Sequence, residues 1–223
     1  MRTRCFTLPL SALASAASLG LLAGCAATPG YVRADRTGAR MSELRLELAS
    51  VKDAVEGSLT ALDGLAQQTE TDSRQVFEVF ARSVEVVQSA AEKARARAQA
   101  MRVRGEEYFA GWERELAGLK NSEIRRIAEE RRAKQKEEFT RIRTVAEAAT
   151  DGLAPFLSDL RDLRTFLGND LTVAGIASAR DIFSKTKDDA AKVEKALDGL
   201  IADLISVAAA LTPAGGEALS VSG

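Results

Sequence analysis

The chain has 223 residues, with 31 lysines and arginines against 32 aspartates and glutamates, so its formal net charge at pH 7 is −1 and gives no overall attraction for nucleic acid. It contains no histidine, which excludes Ser-His-Asp and Cys-His catalysis, histidine-ligated zinc and Glu-x-x-His di-iron sites. Because it also has no glycine-rich phosphate loop, we predict a non-enzyme with no cofactor, no metal and no evident small-molecule substrate.

Residues 1–24 have the organisation of a bacterial export signal. Arg2 and Arg4 precede an apolar run of about 15 residues, long enough for a signal peptide but shorter than the roughly 20 residues of a membrane span. The run ends in Leu22-Ala23-Gly24-Cys25, which resembles the lipobox of bacterial lipoproteins. This resemblance implies cleavage between Gly24 and Cys25 and attachment of lipid to the Cys25 thiol. The alternative is an ordinary secretory signal that ends in a cysteine by chance.

A lipid on Cys25 would hold the mature chain at a membrane, since each buried CH₂ adds about 0.8 kcal/mol to membrane binding. Ala26, rather than aspartate, follows the cysteine. By resemblance to the sorting rule of Gram-negative lipoproteins, this implies the periplasmic face of the outer membrane, with an inner-membrane lipoprotein as the alternative. Residues 25–38 contain proline and glycine and show no helical periodicity, so we predict a flexible, lipidated tether there.

Four segments follow in which apolar residues recur at alternating spacings of three and four, the pattern of coiled-coil-like helices. They lie at about 39–66, 73–119, 124–167 and 172–211. Asn121 or Ser122 can cap the third helix. Pro155 lies inside the third segment, so that helix should kink or restart near residues 151–152.

No period-two run of β-branched residues predicts a strand. The sequence therefore predicts an all-α fold, an elongated antiparallel coiled-coil-like bundle of about four long helices over residues 39–211. A disordered tail is predicted at 212–223. Removal of the leader also removes Cys5, so this bundle would be held together by packing and not by a disulfide.

The third segment has polar residues at positions of its apolar stripe, namely Arg131, Gln135 and Glu138. An antiparallel hairpin with the second segment would place Gln135 opposite Tyr108 and Glu138 opposite Gly105. Polar groups buried there would set the helix register at some cost in stability. The alternative is that the helix rotates, so that other residues face the core, and the sequence leaves both interpretations open.

A group of arginines lies halfway along the predicted rod. It would contact an anionic glycan, a lipid headgroup or an acidic protein, or it is a solvated face balanced by neighbouring glutamates; the second interpretation is favoured, because exposed charge runs usually solvate helices. We call this group the arginine belt, and its members are Arg95, Arg97, Arg102, Arg104, Arg141 and Arg143.

Several short motifs resemble a family of Gram-negative envelope proteins that is classed as a domain of unknown function and predicted to be helical. The resemblance covers roughly residues 40–211 and implies a helical architecture, but no activity and no site residues. The motifs that carry it are Trp112-Glu113-Arg114-Glu115-Leu116, Leu119-Lys120-Asn121-Ser122 with Arg125, Pro155-Phe156-Leu157, Leu160-Arg161-Asp162, Phe166-Leu167 with Asn169, and Ile176-Ala177-Ser178.

These observations favour a lipid-anchored periplasmic bundle that acts as a non-enzymatic spacer or adaptor in the cell envelope. Its partners would be the membrane, through the N-terminal lipid, and another protein or a second copy of itself, but not nucleic acid. One alternative is a carrier or chaperone that holds a lipid or an unfolded chain between its helices. A third, less favoured, is a hydrolase of cell-wall glycan that uses carboxylates alone.

Overall fold

The computed structural model describes residues 28–67 and 73–212. Every element in this part of the chain is a helix: α1 (Gly30–Ala66), α2 (Ser73–Ala117), α3 (Ser122–Asn169), α4 (Val173–Ser178) and α5 (Arg180–Leu211). The predicted all-α bundle is confirmed. Within residues 28–67 and 73–212 the bundle has five helices, because the last predicted segment is divided at Ala179 into the short α4 and the long α5.

The four long helices follow one another around the bundle in the order α1, α2, α3 and α5. α1 packs against α2 and α5, and α3 packs against the same two helices from the opposite corner. Ion pairs between neighbours show that they run antiparallel. Between α3 and α5, for example, Arg141 lies 2.7 Å from Asp203, and Lys185 near the start of α5 pairs with Asp159 near the end of α3.

The core is a continuous column of apolar side chains that follows the predicted stripes of α1, α2 and α5. In α5 every stripe position is buried, including Thr186, whose hydroxyl donates to the carbonyl of Ile182 at 2.8 Å. In α1, Ser58 occupies a polar stripe position and donates to the carbonyl of Val55 at 2.7 Å. Both hydroxyls are therefore satisfied within their own helices. The largest fully buried side chains include Phe80, Met101, Phe156 and Leu160.

The start of α1 corrects one boundary. The tether predicted at residues 25–38 is wrong from Gly30 onward, since that part of the chain is helical. Ala34 and Thr37 are buried and continue the stripe of α1 by two more positions, and Arg33 makes an ion pair with Glu115 of α2. Packing against α2 thus keeps these residues helical, although their small side chains contribute little apolar area.

α3 corrects a second expectation, because it is continuous through Pro155 and does not restart near residues 151–152. Pro155 is exposed, and Leu153, Phe156 and Leu157 around it are buried. The N-terminal cap of α3 is Asn121, whose side chain accepts hydrogen bonds from the backbone N–H groups of Glu123 and Ile124. None of the described helices is both long and apolar enough to cross a membrane.

Candidate functional site

The lipidation and cleavage site predicted at Gly24 and Cys25 lies outside the described residues, and so does the tail predicted at 212–223, apart from Thr212. The first helical residue in the part of the chain that the structure describes is Gly30. The chain between this cysteine and the bundle is therefore short, and α1 begins close to the predicted point of lipid attachment.

Every arginine of the belt has a carboxylate partner. Some pairs join residues of one helix, whereas others cross between helices, to α1, to α3 or to α5. The pairs are Arg95 with Asp151 at 3.3 Å, Arg97 with Glu43 at 3.1 Å and Glu47 at 3.5 Å, Arg102 with Glu106 at 3.0 Å, Arg104 with Glu107 at 2.7 Å, Arg141 with Asp203 at 2.7 Å and Glu138 at 3.5 Å, and Arg143 with Glu106 at 3.7 Å. The belt is thus distributed around the rod and neutralised locally.

The polar side chains predicted on the apolar stripe of α3 are not buried in the core, so they do not set the register of the helix. Arg131 and Glu138 are exposed and only Gln135 is half-buried, where its side-chain oxygen lies 3.5 Å from the hydroxyl of Tyr108. The core position is instead taken by Phe139, which is 3% exposed. The helix is rotated by about one residue from the predicted stripe, so the expectation of a polar seam is wrong and the rotation alternative describes α3.

Phe139, which sequence reasoning missed, belongs to a cluster of aromatic side chains between α2 and α3. Its ring centroid lies 5.6 Å from that of Phe109, which in turn lies 4.8 Å from that of Tyr108. Trp112 extends the cluster, with its ring 5.7 Å from Tyr108. The signal that could have identified Phe139 is that it is the one aromatic residue between Trp112 and Phe156.

Arginines from two helices border this cluster. Arg132 donates to the carbonyl of Phe109 at 3.4 Å and pairs with Glu113 at 2.5 Å. On the side of α1, the Arg33 guanidinium lies over Gly111, where a Cβ would be only 2.8 Å from its Nε atom. Burial raises the pKa of the Tyr108 hydroxyl above its ordinary value, and the charges of Arg33 and Arg131 oppose that shift. The cluster and its arginines therefore contribute to the packing of α1, α2 and α3 against one another.

Two surface carboxylates have a pKa shifted away from the value that a general acid needs. A glycosidase needs one carboxyl group whose pKa is raised, so that it can act as a general acid. Hydrogen bonds from Lys192 and Lys185 lower the pKa of Asp189, and Arg126 lowers that of Glu123, which is the opposite direction. Among the described residues no group of three acidic or cysteine side chains is placed to hold a metal ion.

Two grooves run along the outside of the α3–α5 interface. One, of about 350 Å³, is lined by Arg131, Gln135 and Glu138 of α3 and by Val207 and Leu211 of α5. The other, of about 250 Å³, lies beside Pro155 and Phe156 of α3 and is bordered by Asp189 and Lys192 of α5. Ligand sites usually have about 300–1,000 Å³ and mostly apolar walls. The charged residues that line both grooves do not favour a carrier of apolar cargo.

Residues 28–208 match the sequence profile of a family described as "Protein of unknown function (DUF2959)". No curated protein and no solved structure matches the chain. The profile spans nearly all of the helical bundle, from just before α1 to the last turn of α5.

Proposed function

Since the chain belongs to the family described as Protein of unknown function (DUF2959), we propose its function from its own residues. The protein is a lipid-anchored, non-enzymatic helical rod that acts as a spacer or adaptor on the periplasmic face of the outer membrane. The observation that carries this proposal is the lipobox-like Leu22-Ala23-Gly24-Cys25 placed directly before a long, well-packed bundle.

The dimensions of the bundle support the spacer role. α2 has 45 residues and α3 has 48. At a rise of 1.5 Å per residue, such helices are about 70 Å long. One end of the rod would be held at the membrane by Cys25, and the other would lie deep in the periplasm. The paired charges along its sides would keep it soluble there.

For an adaptor, we propose the arginine belt as the partner contact, which is the less favoured of the two interpretations that the sequence allows. Its ion pairs are at the surface, and exposed ion pairs contribute little free energy because water and salt screen them. An acidic protein could therefore exchange its own carboxylates for Glu43, Glu106 or Asp203 at small cost. The same exchange would make the contact sensitive to ionic strength.

Membrane fractionation tests the anchor. We expect the native protein to stay in the membrane fraction after carbonate extraction and the Cys25→Ser variant to be released, because Cys25 is the residue that carries the lipid. Cys5→Ser is the matched control and should behave as the native protein, since residue 5 belongs to the removed leader. Retention of Cys25→Ser in the membrane would contradict the proposal. Ala26→Asp should shift the protein from the outer to the inner membrane.

In-cell crosslinking through a C-terminal tag tests the adaptor role. Capture of a discrete partner protein, with crosslinks at belt arginines such as Arg97 or Arg141, would support an adaptor that uses the belt. If only the protein itself, lipid or peptidoglycan is captured, the result would support the spacer role. It would also exclude the arginine belt as a contact for a partner protein. A variant in which Arg97 and Arg141 are replaced by Gln should no longer capture the partner protein.

A further inference from the structure

Three large apolar side chains are exposed at one end of the bundle. Tyr31, near the start of α1, is 61% exposed, and Ile124 and Ile127, in the first turns of α3, are 54% and 46% exposed. Arg33 Nη2 lies 2.7 Å from Glu115 Oε1, so the start of α1 lies beside the end of α2, where the chain turns into α3. We call this the α2–α3 end and define it as residues 30–36 and 113–134.

The described part of α5 does not cover the isoleucines. Leu211, the last residue of this helix, lines a groove with Arg131 and Lys134 of α3. Because α5 runs antiparallel to α3, the residues of α3 before Arg131 extend past the last residue of α5. Residues three apart lie on the same side of a helix, so Ile124 and Ile127 form an apolar pair on this projecting segment.

The α2–α3 end is also basic, in contrast to the chain as a whole. It contains nine arginines and lysines against six aspartates and glutamates, a net charge of +3, whereas the whole chain has −1. Several of these cations make no ion pair with any carboxylate in the part of the chain that the structure describes, unlike the arginines of the belt. They are Arg36, Arg114, Lys120, Arg125, Arg131 and Lys134.

We propose that the α2–α3 end binds the surface of the phospholipid bilayer that holds the lipid of Cys25. Tyr31, Ile124 and Ile127 would lie in the headgroup layer, where tyrosine and short apolar segments are favoured. The cations without an ion pair would face lipid phosphates, except Arg125, whose guanidinium donates to the carbonyl of Leu119. Five residues from Cys25 to Gly30 span at most about 18 Å, so this end of the rod cannot move far from the bilayer. The orientation rests on the lipid anchor proposed above, whereas the affinity for phospholipid belongs to the folded end itself.

Vesicle sedimentation tests that affinity without the anchor. The unlipidated mature chain, residues 25–223 with Cys25→Ser, should bind vesicles that contain phosphatidylglycerol more strongly than vesicles of phosphatidylcholine alone. Binding should weaken as salt is raised. Replacement of Tyr31, Ile124 and Ile127 together by Ser should weaken binding by about tenfold, since each loses apolar surface from the contact.

The matched control replaces three equally exposed residues nearer the opposite end, namely Val79, Val86 and Val173, which are 47%, 56% and 56% exposed. This variant should bind as the unsubstituted chain does, and circular dichroism should show both variants folded. Equal losses in the two variants, or no preference for the anionic vesicles, would overturn the proposal. Neither result bears on whether Cys25 is lipidated in cells, which carbonate extraction measures separately.

Covalent coupling of the chain to the vesicle makes the contact measurable even if the folded end binds phospholipid weakly. Cys25 is the one cysteine of the mature chain, so it can be coupled to vesicles through a maleimide lipid. In a Trp112→Phe background, Ile124→Trp should show a blue-shifted emission on anionic vesicles, whereas Val173→Trp should not. The absence of a shift at residue 124, or equal shifts at both positions, would overturn the proposal. A shift at 124 that grows with protein density on the vesicle would overturn it in favour of contact with a second copy.

Discussion

The ring of Phe139 in α3 packs directly on the backbone of Gly105 in α2. A Cβ atom built on Gly105 would overlap the ring, and Phe139 is 3% exposed. The missing side chain at residue 105 is therefore what allows an aromatic ring to fill the space between the two helices. This contact fixes the rotation of α3 about its own axis, because it puts Phe139 rather than Glu138 in the core.

Gly105→Ala should destabilise the protein even though alanine is the better helix former. The clash with Phe139 should cost about 1–3 kcal/mol of unfolding free energy, as overpacking of a core does. Over most of that range the cost exceeds the roughly 1 kcal/mol that the alanine gains in helix propensity. Urea unfolding of the unlipidated mature chain, followed by circular dichroism, measures the difference.

Gly57→Ala and Gly199→Ala are the matched controls, since both glycines lie inside helices and a Cβ at either would meet nothing within 4 Å. Each should stabilise the protein by about 0.4–1 kcal/mol. Adding Phe139→Leu to Gly105→Ala should recover part of the loss, which would show the two residues to be coupled. Stabilisation by Gly105→Ala alone would contradict the packing.

The rotation of α3 makes a separate prediction about its polar residues. Phe139→Ala should cost about 3–5 kcal/mol, because it opens a cavity in the core. Arg131→Ala and Glu138→Ala should change the unfolding free energy by no more than about 0.5 kcal/mol, as exposed positions do. A large loss for either polar variant would instead support the buried polar seam that the sequence suggested.

The start of α3 distinguishes two capping residues that the sequence left open. The Asn121 side chain accepts from the N–H of Glu123 at 3.0 Å and from that of Ile124 at 3.1 Å. Asn121→Ala should therefore lower the unfolding free energy by about 1 kcal/mol. Ser122→Ala, one residue inside the helix, should have almost no effect, and equal losses for the two variants would refute the assignment of the cap.

The sequence predicts α5 well and parts of α1 and α3 poorly, for a physical reason. The stripe of α5 consists mainly of large apolar residues such as Phe183 and Leu197, whose burial is driven by their area. At the start of α1 the stripe consists of Ala34 and Thr37, which keep the alternating spacing of three and four but contribute little apolar area. Only contact with α2, a tertiary effect, reveals that this segment is helical.

α3 illustrates the second difficulty. Between residues 128 and 138 the only apolar residues are alanines, so a period of three and four can be placed on more than one face. Arg132 occupies a core-facing position with its side chain only 15% exposed, because an arginine can bury its stem while its guanidinium reaches Glu113. A pattern that counts arginine as polar cannot find such a position. The lipobox-like motif raises no such difficulty, since it is read from residue types and their order alone.

Tyr108 should make the stability of the protein fall at alkaline pH. Burial raises the pKa of its hydroxyl above the usual value of about 10, so the folded state holds the proton more tightly than the unfolded state does. Below pH 10 both states are protonated and the contribution to stability is complete. As the pH rises further, the Tyr108 hydroxyl ionises first in the unfolded state. Its contribution to stability is lost as the pH rises through the pKa of the folded state. Raised pKa values of Lys52 and Lys185, each bonded to an aspartate, act in the same direction.

An absorbance titration of tyrosinate isolates this residue, because the chain has only two tyrosines and Tyr31→Phe leaves Tyr108 alone. The midpoint for the folded Tyr31→Phe chain should lie above that of the same chain unfolded in urea. In addition, Tyr108→Phe should lose less unfolding free energy than the native chain between about pH 9 and pH 11, since it has no hydroxyl to ionise. A folded midpoint at or below the unfolded one would mean that the charges of Arg33 and Arg131 outweigh burial, and stability would then rise with pH through this group.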